Sequence, residues 1–265
     1  MKKTLLSLSG ICLLLALFVG KSLAADDLFS RAQTYENEQR WSEAFSAYSE
    51  VIKRDPTNAL AHYHIGTVSQ KLGAMDQAIQ SYKEALRLDP SLSEASVALE
   101  GYYTNRGVAQ RINHQLPEAI QSLRQALTYN PSSASAHFEL GQTLEQSGQI
   151  NEALAEYQEA VKLDPDKSAA YLHLAQAYAA QGQHDRAAKA YQEVLRLNPR
   201  DPVAYHGLGV AYNALGQKEK ALASLQQAVR FYLIAGQRDK ARPAYELQKK
   251  LMLEQAATST SQKKK

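Results

Sequence analysis

Histidines and carboxylates are the side chains with which this chain could carry out acid–base or metal chemistry. Seven histidines are scattered over 265 residues, and His62 and His64 are the closest pair. Two positions apart on a helix, they point about 200° away from each other, whereas helical zinc pairs are spaced by four. The chain has no GxSxG, HExxH, CxxC or Walker-type glycine motif. The sequence therefore predicts no catalytic residue, no metal site and no cofactor.

Glutamates on predicted helices are the second group of candidates. Glu36, Glu38, Glu152 and Glu156 are close in sequence to lysines and arginines. Residues three or four apart on a helix surface form ion pairs that are screened by solvent. We therefore expect all four to be surface residues paired with bases, without a catalytic role.

A pattern that recurs every 34 residues must position these side chains. It is clearest in Ala134–Lys167, where apolar, small and helix-ending residues follow in order: Leu140, Gly141, Leu144, Gly148, Ala153, Tyr157, Ala160 and Pro165. A period of this length with two helical runs is typical of a solenoid of helix–turn–helix units. Alignment on the prolines gives six repeats, at 25–58, 59–92, 100–133, 134–167, 168–201 and 202–235, followed by a cap at 236–255.

Three places within the repeat are the most constant. The twentieth is always alanine, at Ala44, Ala78, Ala119, Ala153, Ala187 and Ala221. The eighth is always small, at Ala32, Gly66, Gly107, Gly141, Ala175 and Gly209. Small residues suit the crossing of two helices, because a larger side chain would push the axes apart. Prolines stop five of the second helices, at Pro56, Pro90, Pro131, Pro165 and Pro199.

In these positions the chain resembles the tetratricopeptide repeat, whose pattern runs L-G-x-x-Y, then A-x-x-x-F/Y, A and P. The resemblance extends over about 210 residues in one register. It implies an all-α, right-handed superhelical solenoid of six helix–turn–helix repeats plus a C-terminal capping helix. Members of the family bind peptides or partner proteins in a concave groove lined mainly by first helices. The resemblance thus implies a non-catalytic scaffold or assembly factor.

The resemblance implies that the fifth and ninth places of each repeat line the groove. The candidate peptide-binding residues are Phe29, Gln33, Tyr63, Thr67, Phe138, Gln142, Leu172, Gln176 and His206, with Thr104, Val108 and Val210 at the remaining equivalent places. Aromatic rings would supply apolar contact area, and glutamine amides could pair with the backbone of an extended peptide. The alternative is an ordinary soluble surface without a ligand.

One subtype of the family is disfavoured. Its chaperone-binding members hold a C-terminal carboxylate with lysine and asparagine side chains, and no three consecutive repeats here supply that set. Phe29 and Gln33, or Tyr63 and Thr67, stand in the matching places. We therefore expect internal or apolar peptide segments as ligands.

Departures from the repeat predict local differences. Seven additional residues, Ser93–Leu99, rotate a helix by about 700°, which is nearly two whole turns and leaves its buried face in place. We predict one long helix from about Leu92 to Asn113, begun by a capping box of Ser91 and Glu94. Leu233 replaces the terminating proline of the sixth repeat, so its second helix should continue to about Gly236.

The chain ends are expected to differ from the solenoid. Lys2 and Lys3 precede the apolar run Leu5–Gly20, and Ala24 ends a small-x-small site, as in a signal peptide spanning residues 1–24. This predicts cleavage after about Ala24 and export to the periplasm or an equivalent bacterial envelope compartment. The alternative is an uncleaved anchor that makes the protein a membrane-tethered adaptor subunit of an envelope complex. At the other end, the cap should stop near Glu254, and residues 256–265 should form a disordered basic tail.

Charge is distributed unevenly. The leader carries the whole net charge of +3, so the mature chain is formally neutral, which argues against a nucleic-acid partner. From Lys218 onward, however, eleven basic residues face four acidic ones. Two interpretations remain open for these C-terminal helices: contact with an anionic partner or membrane surface, or a solvated helix face. The expected partner is in either case a protein or peptide.

Overall fold

The computed structural model describes residues 27–262, which form thirteen α-helices and no strand. Two compact units divide the chain between Tyr102 and Tyr103, inside the fifth helix. Unit 1 contains α1 (27–37), α2 (Trp41–Arg54), α3 (Ala59–Lys71), α4 (Met75–Leu88) and the first half of α5 (Ser93–Ile112). Unit 2 contains the rest of α5, α6 (Leu116–Tyr129), α7 (Ala134–Gln146), α8 (Ile150–Leu163), α9 (Ser168–Ala180), α10 (His184–Leu197), α11 (Pro202–Ala214), α12 (Lys218–Ile234) and α13 (Arg238–Gln262).

Packing within each unit follows the order of the chain. In unit 2 each helix from α6 to α13 contacts its sequence neighbours, and the first helices α7, α9 and α11 also contact one another in turn. The six alanines at the twentieth place are all fully buried. This nearest-neighbour packing is the all-α repeat architecture that the 34-residue period predicts.

The small residue at the eighth place is required by a ring or leucine of the second helix. A Cβ on Gly141 would lie 2.6 Å from Tyr157 Cε1, and one on Gly66 would lie 2.6 Å from two ring carbons of Tyr82. Real Cβ atoms do not come this close to carbon. The helices of these pairs therefore approach each other only because the side chain is absent.

The turns between paired helices need a left-handed backbone conformation. Glycine supplies it at Gly73, Gly148, Gly182 and Gly216, where φ lies between 71° and 80°. The first and third repeats have non-glycine residues at this place, Gln39 with φ 58° and His114 with φ 59°.

The second helices end in a turn built by an Asp or Asn that precedes the proline. After α2, Asp55 Oδ1 accepts hydrogen bonds from the backbone and hydroxyl of Thr57, at 3.0 and 2.6 Å. After α4, Asp89 holds Ser91 in the same way, at 2.9 and 2.6 Å. Because Ser91 donates its hydroxyl to Asp89 and the helix starts at Ser93, the capping-box interpretation of Ser91 and Glu94 is wrong.

The remaining departures have mixed outcomes. The long helix predicted across the insertion is confirmed, since α5 runs over Ser93–Ile112, and α12 continues to Ile234 without the terminating proline. The expected end near Glu254 is wrong: α13 continues to Gln262, so the described part of the expected disordered tail, residues 256–262, is helical. Just before this segment, Lys218 of α12 pairs with Glu254 at 3.2 Å, and Gln255 donates to Glu219 of α12 at 3.5 Å. The leader lies outside the described residues.

Candidate functional site

Five side chains of α7, α8 and α9 form a connected cluster, named the unit 2 cluster. Phe138, Gln142 and Glu145 lie on one face of α7, since positions i, i+4 and i+7 coincide on a helix. Tyr157 Oη donates a 2.6 Å hydrogen bond to Glu145 Oε2, and His173 Nδ1 lies 3.1 Å from the same oxygen. Gln142 Nε2 lies 3.1 Å from His173 Nε2. The His173 ring stacks on Tyr157 at 5.5 Å and meets the edge of Phe138 at 5.6 Å.

The partners in this cluster determine where its protons lie. A carboxylate only accepts, so the Nδ1 of His173 donates to Glu145, and an amide nitrogen only donates, so Gln142 Nε2 donates to His173 Nε2. The hydrogen bond from His173 lowers the pKa of Glu145; burial opposes this, and the Tyr157 hydroxyl adds to the lowering. Burial, followed by the adjacent carboxylate, raises the pKa of Tyr157. Glu145 is therefore a carboxylate and Tyr157 a donor.

The same five residue types recur in unit 1, where Phe29, Glu36, Tyr48 and His64 on α1, α2 and α3 form the unit 1 cluster and Gln33 is an exposed residue of α1. Tyr48 Oη donates to Glu36 Oε2 at 2.7 Å, and His64 Nδ1 lies 2.8 Å from that oxygen. The His64 ring stacks on Tyr48 at 4.9 Å and meets Phe29 edge-on at 5.6 Å. Burial alone would raise the pKa of Glu36, but His64 and Tyr48 together bring it below its ordinary value.

Other repeats fill the corresponding places differently. Arg111 and Glu139 form a 2.9 Å ion pair where the two clusters have glutamate and histidine. In the fifth repeat Tyr191 extends toward Gly207, at the place of the histidine, and a Cβ on Gly207 would overlap the Tyr191 ring. Burial raises the pKa of Tyr191 to about 12. The five-residue combination is therefore not a requirement of the fold.

The nine residues predicted from sequence are distributed over five first helices. Phe29 belongs to the unit 1 cluster, with Gln33 exposed on the same helix, and Phe138 and Gln142 belong to the unit 2 cluster. The other five lie outside both clusters. The Tyr63 ring centre lies 5.8 Å from that of Tyr82, and Thr67 accepts a 3.5 Å hydrogen bond from the Tyr82 hydroxyl. Leu172 packs on the unit 2 core, and Gln176 and His206 are half-buried. Burial lowers the pKa of His206.

The acidic and histidine members of the clusters were missed by the sequence reasoning. Glu36 is not a surface partner of a base, because it is half-buried between Tyr48 and His64. The sequence does contain an indication of the two clusters, because the same five residue types recur 109 positions apart, as in Phe29 and Phe138.

Of the other three glutamates, two are surface partners of a base and one is not. The surface interpretation is correct for Glu38, which pairs with Arg40 at 3.1 Å, and for Glu152, which pairs with Arg124 at 2.8 Å. Glu156 instead lies 2.6 Å from Nδ1 of His137, which is largely buried.

Two searches of the described residues were negative. Between residues 27 and 262 no group of three or more His, Cys, Asp or Glu side chains is placed to hold a metal ion. In the same range, no helix combines the length and the hydropathy that crossing a bilayer demands.

These features define a class: an all-α protein of stacked helix pairs, with polar and aromatic side chains clustered on its first helices. Comparison with protein-family models gives the family. Models described as "Tetratricopeptide repeat" match residues 28–58, 59–92, 105–168, 139–202 and 172–233. The chain belongs to the tetratricopeptide repeat family, and the resemblance inferred from the repeat pattern is confirmed.

Curated relatives match only part of the chain. The Hsp70-Hsp90 organizing protein of Triticum aestivum is 24% identical over 122 residues, which are 46% of this chain and 20% of that protein. The probable UDP-N-acetylglucosamine--peptide N-acetylglucosaminyltransferase SPINDLY of Hordeum vulgare is 30% identical over 99 residues, 37% of this chain and 10% of the relative. The chain thus spans a fifth or less of the length of these two proteins.

Among solved structures, the chain is similar to YrrB, described as a TPR protein with an unusual peptide-binding site. The TM-score is 0.54 at 23% identity, covering 76% of this chain and 98% of YrrB. At this identity the likeness shows the fold.

Proposed function

We propose that this protein is a non-catalytic scaffold or assembly factor that binds a peptide or partner protein along its first helices. The observation that carries the proposal is the recurrence of one aromatic and polar cluster in both units, with a glutamate and a histidine that the corresponding places of the other repeats lack. The family supports protein interaction as the class of function. YrrB, with its peptide-binding site, and the Hsp70-Hsp90 organizing protein are related proteins named for such interactions.

The proposed binding residues lie on the first helices of each unit: Phe29, Gln33, Tyr63 and Thr67 in unit 1, and Phe138, Gln142, Leu172, Gln176 and His206 in unit 2. In unit 2, Phe138 offers a ring held by its neighbours, while Gln142 and Gln176 are half-buried amides on adjacent first helices. Amides of this kind pair with a peptide backbone, and a rigid ring adds contact area at small entropic cost.

A crosslinking pulldown tests these residues. The bait is the full chain, and the test variant is Phe138→Ala with Gln142→Ala. Because Phe138 is almost fully buried, a second variant, Gln142→Ala with Gln176→Ala, leaves the core intact. The matched control is Asp185→Ala with Lys189→Ala, two exposed residues on a second helix. We expect both test variants to lose partners that the control retains, and full retention in both would refute the proposed role of these residues.

We also propose export with removal of the leader after about Ala24, on the strength of its charged start, apolar run and small-x-small end. Intact-mass measurement of the natural protein gives a direct answer. A mature amino terminus at Ala25 is the expected result. A retained Met1 would instead favour the membrane-tethered adaptor.

A third proposal concerns α12 and α13, which we expect to contact an anionic membrane surface. Arg242, Lys249 and Lys250 are exposed there beside the exposed apolar side chains of Met252 and Leu253. Basic and apolar groups side by side suit a negatively charged bilayer. Sedimentation with phosphatidylglycerol vesicles should capture the protein at low salt, and Lys249→Glu with Lys250→Glu should abolish capture. Equal capture by neutral phosphatidylcholine vesicles would refute the proposal.

A further inference from the structure

Each cluster, together with the glutamine on its first helix, has the same five residue types, and three of them, the phenylalanine, the glutamate and the histidine, do not stand at the corresponding places of the other repeats. At the ninth place the second and third repeats have Thr67 and Val108, and at the twelfth they have Gln70 and Arg111. The buried alanines, by contrast, never change. Helix packing explains the alanines but gives no reason for one polar combination to appear twice. A shared ligand chemistry would explain it.

Hydrogen bonds already made within the unit 2 cluster leave mainly acceptors for a ligand. Tyr157 and His173 both use Glu145 Oε2, and one of the two N–H groups of the Gln142 amide is given to His173. Among the described residues, none donates a hydrogen bond to Glu145 Oε1 or to Gln142 Oε1. About 31% of the Glu145 side chain is exposed to solvent, so a ligand can reach it. The group that fits is a hydrogen-bond donor, and beside an ionised carboxylate a cationic donor is favoured.

The aromatic member of the cluster suits the same ligand. An alkyl stem packs on a phenyl ring, and a cation is attracted to the ring face. The chain itself provides an example, because Lys167 Nζ lies 5.2 Å from the centre of the Phe138 ring. Lys167 stands at the N-cap of α9 without a side-chain cap. Asn58, at the same place of the first repeat, caps α3 by accepting from Ala61 N at 2.9 Å.

We propose that each cluster binds a lysine or arginine side chain of a peptide segment in the partner, with two equivalent sites in the chain. The cation meets the free carboxylate oxygen of Glu36 or Glu145, and its stem packs against Phe29 or Phe138. This rests on the proposed function and specifies the ligand of the same surface. A peptide carboxylate is disfavoured at these sites, because it would be repelled by the ionised glutamate.

Binding of a defined probe tests the proposal. The probe is the acetylated and amidated heptapeptide Gly-Ala-Leu-Lys-Leu-Ala-Gly, compared with peptides that have norleucine or glutamate in place of the lysine. Calorimetry and NMR titration of the full chain give affinity and stoichiometry. We expect two lysine peptides per chain, bound about tenfold more tightly than norleucine peptides, as for a partly buried hydrogen bond to a charged group. Norleucine binding as well as lysine, or glutamate binding better, would overturn the proposal.

Variants assign the sites. Glu36→Gln and Glu145→Gln keep size and an acceptor for the tyrosine, and each should leave one site, while the double variant should leave none. Gln142→Ala is a second probe of unit 2 that does not touch Tyr157, and it should weaken one site. Lys167→Asn removes the competing cation and should tighten that site about threefold. A double glutamine variant that is folded by circular dichroism and still binds two lysine peptides contradicts the proposal.

The outcomes separate this inference from the proposed function. If the pulldown depends on Phe138 and Gln142 but no lysine selectivity appears, the protein-binding function stands and the cationic ligand is wrong. If lysine peptides bind at two sites while the pulldown is indifferent to these residues, the sites are real and the proposed binding of the natural partner at these residues fails.

Discussion

Replacing Gly141 by alanine tests the contact on which the unit 2 cluster depends. The new Cβ would lie 2.6 Å from Tyr157 Cε1, and the Tyr157 ring is fully buried between its neighbours. Overpacking of this kind costs about 1–3 kcal/mol. Alanine also gains about 1 kcal/mol over glycine inside a helix. We therefore expect the variant to lose about 1 kcal/mol of unfolding free energy.

A matched control separates the clash from the helix propensity. Gly101 lies inside α5, and a Cβ there would have no described atom within 4 Å. Gly101→Ala should therefore gain about 1 kcal/mol, which makes the two variants differ by about 2 kcal/mol. Urea unfolding followed by circular dichroism gives both values. Because repeats can open separately, hydrogen exchange of the α7 and α8 amides should locate the loss.

The refuting result is a stabilisation by Gly141→Ala equal to that of Gly101→Ala. It would mean that the Tyr157 ring moves away at no cost. Alanine does occupy the eighth place at Ala32, where Tyr48 stacks almost parallel to His64, with 6° between the rings against 30° for Tyr157 and His173. The shift expected of Tyr157 is therefore toward His173, and chemical-shift changes in the His173 ring would report it.

Two further predictions use pairs of equivalent residues. His137 lies between two acceptors, the Glu156 carboxylate at 2.6 Å and the Pro131 carbonyl at 3.0 Å, and mainly the carboxylate raises its pKa; its stabilising effect is therefore complete below about pH 6.5 and is lost as the pH rises through the folded-state pKa. Urea titrations at pH 5.5 and 9 should show His137→Ala more costly at the lower pH. The control is His62→Ala, because His62 contacts the Pro56 carbonyl but, among the described residues, has no carboxylate within hydrogen-bond distance. A pH-independent cost of His137→Ala would contradict this. Tyr157→Phe should lower the free energy of unfolding by about 2 kcal/mol, because it removes the hydrogen bond to the charged Glu145. Tyr191→Phe should leave the free energy of unfolding nearly unchanged in the same assay, because the Tyr191 hydroxyl has no described hydrogen-bond partner. Equal losses in the two variants would refute this difference.

Most of the fold could be predicted because its signals are local. Prolines mark the ends of second helices, small residues mark the helix crossings, and seven inserted residues give two extra turns in α5. The same local reasoning failed at Ser91, because its hydroxyl donates to Asp89 and does not cap the helix that follows. It also failed for the end of α13. Glu254 forms an ion pair with Lys218 of α12, and the helix continues beyond Glu254 to Gln262.

The candidate site could be predicted only in part. Phe138 and Gln142 follow from their places on the first helix, because residues one turn apart share a face. Glu145 and His173 are 28 residues apart and come together through the contact between successive first helices.

The sequence by itself determined the repeat, its family and the residues that pack in every unit, since these follow from helical periodicity and the size of side chains. Only the tertiary structure decided which polar residues meet. Glu36 and Glu145 have similar local sequence to other surface glutamates, yet stacking of the next repeat brings a histidine to the same carboxylate oxygen as the tyrosine. The physical reason is that hydrogen bonds between repeats depend on where neighbouring helices lie in space, which no single 34-residue unit encodes.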